Sequence, residues 1–341
     1  MGLPNEDGCP PPYPGRHEHL ITSNEPPHAD EDGFFRDSVL ETGSRLAQLD
    51  AEIRALQVQR AQLWGQHCQN LSVISPLRRM PPEILADIFS WTLPPMNELR
   101  GDVSDLETSP WVLTQVCSRW RDISLSTPSL WCNIAAVYGG KRGEFPDPRP
   151  EMVQTQVERS GAQNLMIQFH ASESHDPAEQ VALFQVLASH SARWEQISIQ
   201  VAAALVPHLA QLRGRVPAIQ RIWLQWDTKD SEIGADSIDC FEIAPSLLDM
   251  GTFIESQYIP IVFPADQLTA YRVEGPWDMH HRILKTAPNI VEARIIIGDD
   301  EEPWPESSGE LIDMLPLRRL YVSDLEVFDY IRAPALAELS V

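Results

Sequence analysis

Apolar residues recur every three or four positions in the first long periodic stretch of the chain. The spacing between residues 39 and 67 is that of an a/d heptad seam, with Arg60 at one of the a positions. The apolar members of this seam are Leu46, Leu49, Ile53, Leu56 and Leu63. The pattern predicts a coiled-coil-like helix over residues 38–70. Two interpretations remain open: the seam pairs two copies of the chain, or the helix packs its apolar stripe on the segment that follows it.

A second pattern predicts two shorter helices. Pro81 and Pro82 suit the first turn of a helix, and Glu83 then lies at the positive end of the helix dipole. The apolar face of this helix is formed by Ile84, Leu85, Ile88 and Phe89. A further helix is expected from Trp111 to Ser124, with Val112, Val116, Trp120 and Ile123 on one side. A segment of ~60 residues buries little of its own apolar surface, so these helices need a partner surface.

After residue 150 the pattern changes to short apolar runs that predict strands separated by helices. The runs are Leu165–Phe169, Ile197–Ile199, Ile219–Leu224, Leu268–Val273, Ile290–Ile297, Leu317–Val322 and Leu336–Leu339. Helices are expected at Ala178–Ser189 and Met279–Thr286. The gap between Trp223 and Tyr271 is about twice the usual spacing of ~20–32 residues, and Ile238–Leu248 is expected to supply a missing turn there.

Strand alternation assigns side chains to the two faces of the expected sheet. The inward set is Ile222, Leu224, Ile295, Ile297, Leu320 and Val322. The outward set is Arg221, Trp223, Glu292, Arg294, Arg319 and Tyr321. Two interpretations are open for the outward arginines: they form a basic stripe, or they pair with neighbouring Asp and Glu side chains.

The charge balance narrows the classes of partner. Twenty-six Lys and Arg against 49 Asp and Glu give a formal net charge of −23, which repels phosphate backbones and anionic membranes. We therefore expect neither a nucleic-acid nor a membrane partner. Residues 1–37, with seven prolines and eight acidic residues, are expected to be a disordered acidic tail. Five scattered cysteines and an N-terminus unlike a secretory signal indicate the cytoplasm or the nucleus.

The residues from Leu77 to Trp131 carry a family resemblance. The stretch opens Leu77-Arg78-Arg79-Met80-Pro81-Pro82-Glu83-Ile84-Leu85, continues with Val116-Cys117-Ser118-Arg119-Trp120-Arg121-Asp122, and closes Thr127-Pro128-Ser129-Leu130-Trp131. It resembles an F-box of the large families found in mushroom-forming fungi. Met80 stands where that family usually has Leu, and the acidic segment Pro94–Pro110 is longer than usual and is expected to loop out.

The resemblance implies a role without a catalytic step. It implies a substrate-recognition subunit of an SCF-type ubiquitin ligase, whose partners are a Skp-family adaptor, a cullin scaffold and a target protein. The residues that would bind the adaptor are Met80, Pro81, Ile84, Leu85, Ile88, Phe89, Val116, Trp120, Leu130 and Trp131. Two alternatives are a scaffold that binds the adaptor without directing ubiquitination, and an enzyme in the C-terminal region.

The C-terminal runs have a weaker resemblance of their own. Pro288–Ile295 and Leu315–Val322 resemble the strand entries of irregular leucine-rich repeats. Together the resemblances imply an α+β to α/β chain: an F-box at residues 74–135, a hinge at 136–150, and a leucine-rich-repeat-like solenoid at 151–341 that ends at Val341 as a truncated array. The residues that would bind the target are Arg221, Trp223, Arg294, Arg319 and Tyr321. The alternative is an ordinary α/β domain with a parallel sheet.

Motifs for catalysis or cofactor binding do not add to this picture. The sequence has no G-x-G-x-x-G, G-x-x-x-x-G-K-[ST], G-x-S-x-G or H-E-x-x-H pattern. His17-Glu18-His19, with Cys9 nearby, is a poor metal site in a tail that is expected to be disordered. We expect no metal, no cofactor and no enzymatic activity.

Overall fold

The computed structural model describes residues 14–93, 110–138, 148–226, 237–253, 259–298, 304 and 311–341. Its chain divides into two compact units, one ending at Met80 and the other running from Pro81 to Val341. The first unit contains α1 (Pro14–Thr22) and α2 (Ala29–Ile74), followed by a 3₁₀ turn at Pro76–Arg78. The backbone N–H of His28 donates to Glu31 Oε2 (2.8 Å), which satisfies a donor at the start of α2.

The second unit begins with three short helices. These are α3 (Pro82–Trp91), α4 (Leu113–Val116) and α5 (Ser118–Leu125), with a 3₁₀ turn at Pro128–Trp131. Pro81 caps α3 and Pro82 is its first residue, where the missing N–H costs no hydrogen bond. We call this segment, described at residues 82–93 and 110–131, the helical module.

In the described residues, nine parallel strands form one sheet in the order β1-β2-β3-β4-β5-β6-β7-β9-β11. The strands are β1 (Asn133–Val137), β2 (Leu165–His170), β3 (Trp194–Val201), β4 (Arg221–Trp226), β5 (Asp249–Phe253), β6 (Ala270–Gly275), β7 (Glu292–Ile297), β9 (Arg319–Val322) and β11 (Glu338–Ser340). The order in space is the order along the chain. The short strands β8 (Ile312–Asp313) and β10 (Ile331–Arg332) pair separately, also in parallel.

Helices cover one face of the sheet and bury its core. They are α6 (Pro150–Arg159), α7 (Pro177–Ala188), α8 (Val206–Leu209) and α9 (Trp277–Thr286), with 3₁₀ turns between several strands. Alternate strand residues such as Ile167, Ile199 and Leu224 pack with helix residues such as Leu183 and Leu284 in one hydrophobic cluster. Parallel strands need crossover connections, and their consistent hand places the helices on one side. The opposite side of the sheet, which we call the outer face, is left for polar side chains.

The strand and helix predictions after residue 150 agree with the structure to within a few residues. Each of the seven apolar runs falls on a strand, and the two expected helices correspond to α7 and α9. The wide gap between Trp223 and Tyr271 contains a further strand, β5, immediately after Ile238–Leu248. The chain is thus mixed α/β with a long N-terminal helix and a nine-stranded parallel sheet among its described residues.

Four predictions need correction. Residues 14–22 and 29–37 are helical rather than disordered, with α1 linked to Glu25 through Arg16 Nη1 (2.9 Å). The long helix spans Ala29–Ile74, not 38–70. The helix expected over Trp111–Ser124 is broken at Cys117, whose φ of −161° and ψ of 169° are extended. The hinge expected at 136–150 overlaps β1, which pairs with β2 and connects the helical module directly to the sheet. The rest of that hinge, residues 139–147, and most of the expected loop Pro94–Pro110 lie outside the described residues.

Candidate functional site

Helix α3 has two apolar sides with different roles. Leu85 and Phe89 are buried, and the Phe89 ring lies 4.7 Å from the ring of Trp120 on α5. Ile84, Ile88 and Trp91 lie at i, i+4 and i+7 and are 47%, 37% and 87% exposed. Side chains with this spacing share one side of a helix. We call these three residues the α3 stripe; it is an apolar surface that the described part of the chain leaves uncovered.

The break at Cys117 positions the second part of the module. Cys117 Sγ accepts a hydrogen bond from the Trp120 backbone N–H (3.5 Å) and so caps the start of α5. Val116, just before the break, is 55% exposed, whereas Ile123 on α5 is 7% exposed. The two short helices therefore divide the apolar residues between a buried and an exposed side.

Two indole rings and the guanidinium of Arg159 hold the module on α6. The Arg159 guanidinium lies 4.7 Å from the Trp111 ring centroid and 4.4 Å from that of Trp131. Burial lowers the pKa of Arg159, but cation–π contact with two indoles offsets part of the lost hydration. Trp131 Nε1 also donates to the Ser124 carbonyl (2.8 Å). The module is thereby anchored to the same compact unit as the sheet.

The outer face of the sheet presents charged and aromatic side chains in register. Arg221, Asp249, Ala270, Glu292 and Arg319 are successive partners across β4, β5, β6, β7 and β9. The next row along the strands is Trp223, Gly251, Arg272, Arg294 and Tyr321. All five predicted target-binding residues lie on this face, since their strand neighbours Ile222, Leu224, Ala293, Ile295, Leu320 and Val322 are buried.

Ion pairs connect the charged side chains of these two rows into one continuous network. Asp249, whose side chain is 10% exposed, accepts from Arg221 Nε (2.8 Å) and from Arg272 Nη1 (2.6 and 2.7 Å). Glu292 accepts from Arg272 Nη2 (2.7 Å) and Arg319 Nε (3.0 Å). These hydrogen bonds lower the pKa of the Glu292 carboxyl. Positive and negative side chains therefore alternate along this network, and the network lines a depression of ≈ 510 Å³. Its members in order are Arg221, Asp249, Arg272, Glu292 and Arg319.

The expected basic stripe is therefore wrong in its simple form. Arg221 and Arg319 pair with carboxylates, as the alternative interpretation held, and Arg294 lies in the neighbouring row. The Arg294 guanidinium lies 4.8 Å from the Tyr321 ring centroid, and no described carboxylate is within ion-pair distance of it. Of the four described outer-face arginines, Arg221, Arg272, Arg294 and Arg319, it is Arg294 whose charge is not paired with a described carboxylate.

An indole provides a flat surface on the same row. A Cβ added to Gly251 would lie 2.1 Å from Trp223 Cε3, so the glycine leaves the space in which the Trp223 ring lies against the sheet. Trp223 is itself half-buried. This row therefore contains the Trp223 ring, Arg272, and Arg294 in contact with the Tyr321 ring. Aromatic residues and arginine are enriched in protein recognition surfaces.

The predicted adaptor-binding residues divide into two sets in the structure. Leu85, Phe89, Leu130 and Trp131 are at most 1% exposed and hold the module together from inside. Met80 and Trp120 are half-buried, whereas Pro81, Ile84, Ile88 and Val116 are exposed. Sequence reasoning missed Trp91 and the Asp249, Gly251 and Arg272 part of the outer face. The i+7 spacing of Trp91 from Ile84 and the outward parity of Arg272 were the available signals.

Among the described residues, no group of three or more His, Cys, Asp and Glu side chains is arranged to hold a metal ion. The four described cysteines, Cys68, Cys117, Cys132 and Cys240, are thiols. Within the described parts of the chain, no helix has both the length and the apolarity to cross a membrane.

Comparison with known proteins gives no assignment. No protein-family model matches the chain, and no curated protein matches it.

Proposed function

We propose that this chain is an F-box-type substrate receptor. In this proposal the helical module docks a Skp-family adaptor bound to a cullin scaffold, and the outer face binds a target protein. The chain performs no covalent step. It holds a lysine of the target near a ubiquitin-charged enzyme that other subunits supply, so the rate gain comes from proximity.

The observation that carries the adaptor part is the α3 stripe. Ile84, Ile88 and Trp91 are exposed on a helix whose other side is fixed by Leu85 and Phe89. Anchors at i, i+4 and i+7 are how an amphipathic helix enters an apolar groove of a partner. Exposed Val116 adds to the apolar surface of the module. The residue order from Leu77 to Trp131 supports the same assignment, independently of burial.

The sheet supports a finer proposal, an irregular leucine-rich-repeat-like solenoid. The strands from β1 to β11 in the large sheet begin at residues 133, 165, 194, 221, 249, 270, 292, 319 and 338, so successive starts are 19 to 32 residues apart. Each repeat adds one strand beside the previous one and sends its connection over the same side. An extended strand-lined surface then remains for a target.

The adaptor proposal is tested on the α3 stripe rather than on the buried residues. Ile84→Asp with Ile88→Asp places two charges in the proposed interface, and we expect the affinity for a purified Skp-family adaptor to fall at least about tenfold, because anchors of this kind each contribute ~2 kcal/mol. Isothermal titration calorimetry measures the change.

The matched control uses two exposed apolar residues elsewhere in the same unit. Ile243 and Leu325 are 55% and 61% exposed, so Ile243→Asp with Leu325→Asp adds the same charge without touching α3. The control should bind the adaptor as the unchanged chain does. Equal affinities for the α3 double variant and the unchanged chain would contradict the proposal.

The target part of the proposal rests on Arg294. Its guanidinium is oriented by Tyr321 and is not ion-paired with a described carboxylate, so it suits an acidic or phosphorylated segment of a target. We expect Arg294→Glu to reduce the capture of such targets severalfold in quantitative mass spectrometry of complexes purified from cells, while adaptor recovery stays constant.

The control for this experiment is Arg282→Glu. Arg282 is exposed on α9, which packs on the side of the sheet opposite the outer face. Its change to Glu therefore reverses the same charge at a position away from the proposed target surface. Capture that is lost in Arg294→Glu, retained in Arg282→Glu and sensitive to phosphatase treatment supports phosphate recognition. Identical captured proteins for both variants would show that the target binds elsewhere.

A further inference from the structure

Helix α2 leaves an apolar seam exposed over much of its length. The helix has 46 residues and is therefore about 69 Å long. Its seam residues Leu46, Leu49, Ile53, Leu56 and Leu63 are 62%, 39%, 52%, 62% and 65% exposed. Helices in proteins owe most of their stability to packing of an apolar side, so a seam of this kind indicates a missing partner helix.

The heptad register identifies the type of partner. The a positions are Val39, Leu46, Ile53 and Arg60, and the d positions are Thr42, Leu49, Leu56 and Leu63. A β-branched residue at a with Leu at d favours two parallel strands. Ile53 followed by Leu56 forms such a pair at the centre of the seam, and Val39 supplies another β-branched a residue.

Arg60 favours a two-stranded coiled coil over a bundle of four helices. An arginine at an a position extends its stem along the apolar surface and keeps its charged end in water, which a two-stranded coiled coil permits. A four-stranded bundle would enclose four such charges. A single polar a residue also fixes the register, at some loss of stability.

The charges flanking the seam select the orientation. Arg45 occupies a g position and Asp50 the following e position, five residues later, which is the spacing of an ion pair across a parallel interface. By symmetry this pair forms twice. An antiparallel pairing that aligns the same apolar layers would place Arg45 beside Gln66 and Asp50 beside Gln57, where neither finds an opposite charge. Arg45 Nη1 donates a hydrogen bond to Gln48 Oε1 (3.0 Å), a neutral group, and no described carboxylate forms an ion pair with Arg45, so its charge is left for a second helix.

We propose that α2 forms a parallel, in-register, two-stranded coiled coil with α2 of a second copy, from Val39 to Leu63. The dimer would contain two helical modules and two outer faces. This proposal does not depend on the identity of the adaptor or the target, since it rests on the seam and its flanking charges alone.

Sedimentation equilibrium of the full chain tests the number of strands. We expect the unchanged protein to have twice the monomer mass of 38.4 kDa at protein concentrations of about 100 µM. Leu49→Asp with Leu56→Asp puts two charges into the seam and should raise the dimer dissociation constant at least about 100-fold. The matched control is Ala51→Asp with Val58→Asp, since both residues occupy f positions on the far side of the same helix, and it should remain a dimer.

A monomeric unchanged protein, a tetramer, or a seam variant that stays dimeric would overturn the proposal. The hydrophobic core of the sheet contains no residue of α2, so near-ultraviolet circular dichroism, which reports on buried indoles such as that of Trp194, checks that the sheet of each variant is folded. A seam variant whose sheet is folded and whose mass is halved supports it.

Two further variants test the orientation. The disulfide test uses a chain in which Cys9, Cys68 and Cys117 are changed to Ser. In a parallel coiled coil the two copies of residue 46 face each other, so Leu46→Cys should form an interchain disulfide. An antiparallel coiled coil would instead place residue 46 beside residue 63 of the other copy. Arg45→Asp should weaken the dimer, and Asp50→Arg added to it should restore the affinity. An absent disulfide, or no restoration by the double reversal, would overturn the parallel register.

Discussion

At the scale of single residues, a buried histidine makes the sheet sensitive to acid. His280 on α9 is fully buried and contacts residues of both β6 and β7. Its Nε2 lies 3.1 Å from the carbonyl oxygen of Ile296 on β7, and its Nδ1 lies 2.7 Å from the hydroxyl of Tyr271 on β6. The carbonyl only accepts, so Nε2 carries the proton and Nδ1 accepts from Tyr271. Both ring nitrogens are satisfied in the neutral form, and burial lowers the pKa of His280 to about 4.

This lowered pKa fixes the direction of a pH effect. The unfolded chain takes up a proton near the ordinary value of 6.5, whereas the folded chain does so only near 4, so stability is unaffected at higher pH and falls as the pH drops between these values. We expect a loss of about 1.4 kcal/mol per pH unit from this histidine. His280→Gln does not titrate, and its free energy of unfolding, measured in urea, should depend less steeply on pH over this range. Equal slopes for both proteins would contradict the assignment.

At the scale of elements, the helical module depends on how its short helices begin. The cap on α5 is a thiol at 3.5 Å, which is a weak acceptor compared with the oxygen of Asp, Ser or Thr. The break at Cys117 itself separates exposed Val116 from the buried side of α5. The sequence pattern alone predicted one continuous helix here, because apolar spacing does not reveal an extended residue between two helical turns.

A better capping residue should stabilise the module. We expect Cys117→Asp to raise the free energy of unfolding by about 0.5–1 kcal/mol, because a carboxylate accepts from the Trp120 N–H and complements the helix dipole. Cys117→Ala is the matched control, since it removes the thiol without a new acceptor, and urea denaturation compares the two. An aspartate variant no more stable than the alanine variant would show that the cap contributes little.

Parallel strands with a regular repeat were predictable, whereas irregular ones were not. Alternation at Ile290–Ile297 and Leu317–Val322 identified β7 and β9 and the side chains of their outer face. Strand β5 has no apolar run, because Asp249 and Gly251 serve the outer face, and β1 has only small residues at its centre. The ion-pair chain could not be predicted without β5, since Asp249 is the residue that joins Arg221 to Arg272.

At the scale of the whole molecule, the two units have different sources of stability. The large hydrophobic cluster runs from Ile134 to Tyr330 and lies entirely in the second unit. Helix α2 has most of its apolar side chains exposed. The second unit therefore has a core of its own, whereas the described residues leave the apolar seam of α2 largely exposed.

Removal of the first helices should leave the sheet intact. A chain that begins at Pro76 keeps the whole cluster, and we expect its free energy of unfolding to stay within about 0.5 kcal/mol of that of the full chain, because every residue of the cluster belongs to the second unit. Urea denaturation followed by tryptophan fluorescence measures it. A truncated chain that is unfolded would show that α2 contributes to the fold of the second unit.

The agreement between spatial and chain order in the large sheet bears on how the protein is synthesised. Every strand of that sheet after β1 pairs with a strand that precedes it in the chain, so that partner has been synthesised first. Pairing can therefore proceed from the N-terminal side as the chain emerges, without waiting for a distant segment, which limits the time that apolar strands stay uncovered. A ribosome that pauses within the sheet would hold a shorter sheet with its last edge open, ready for the next strand.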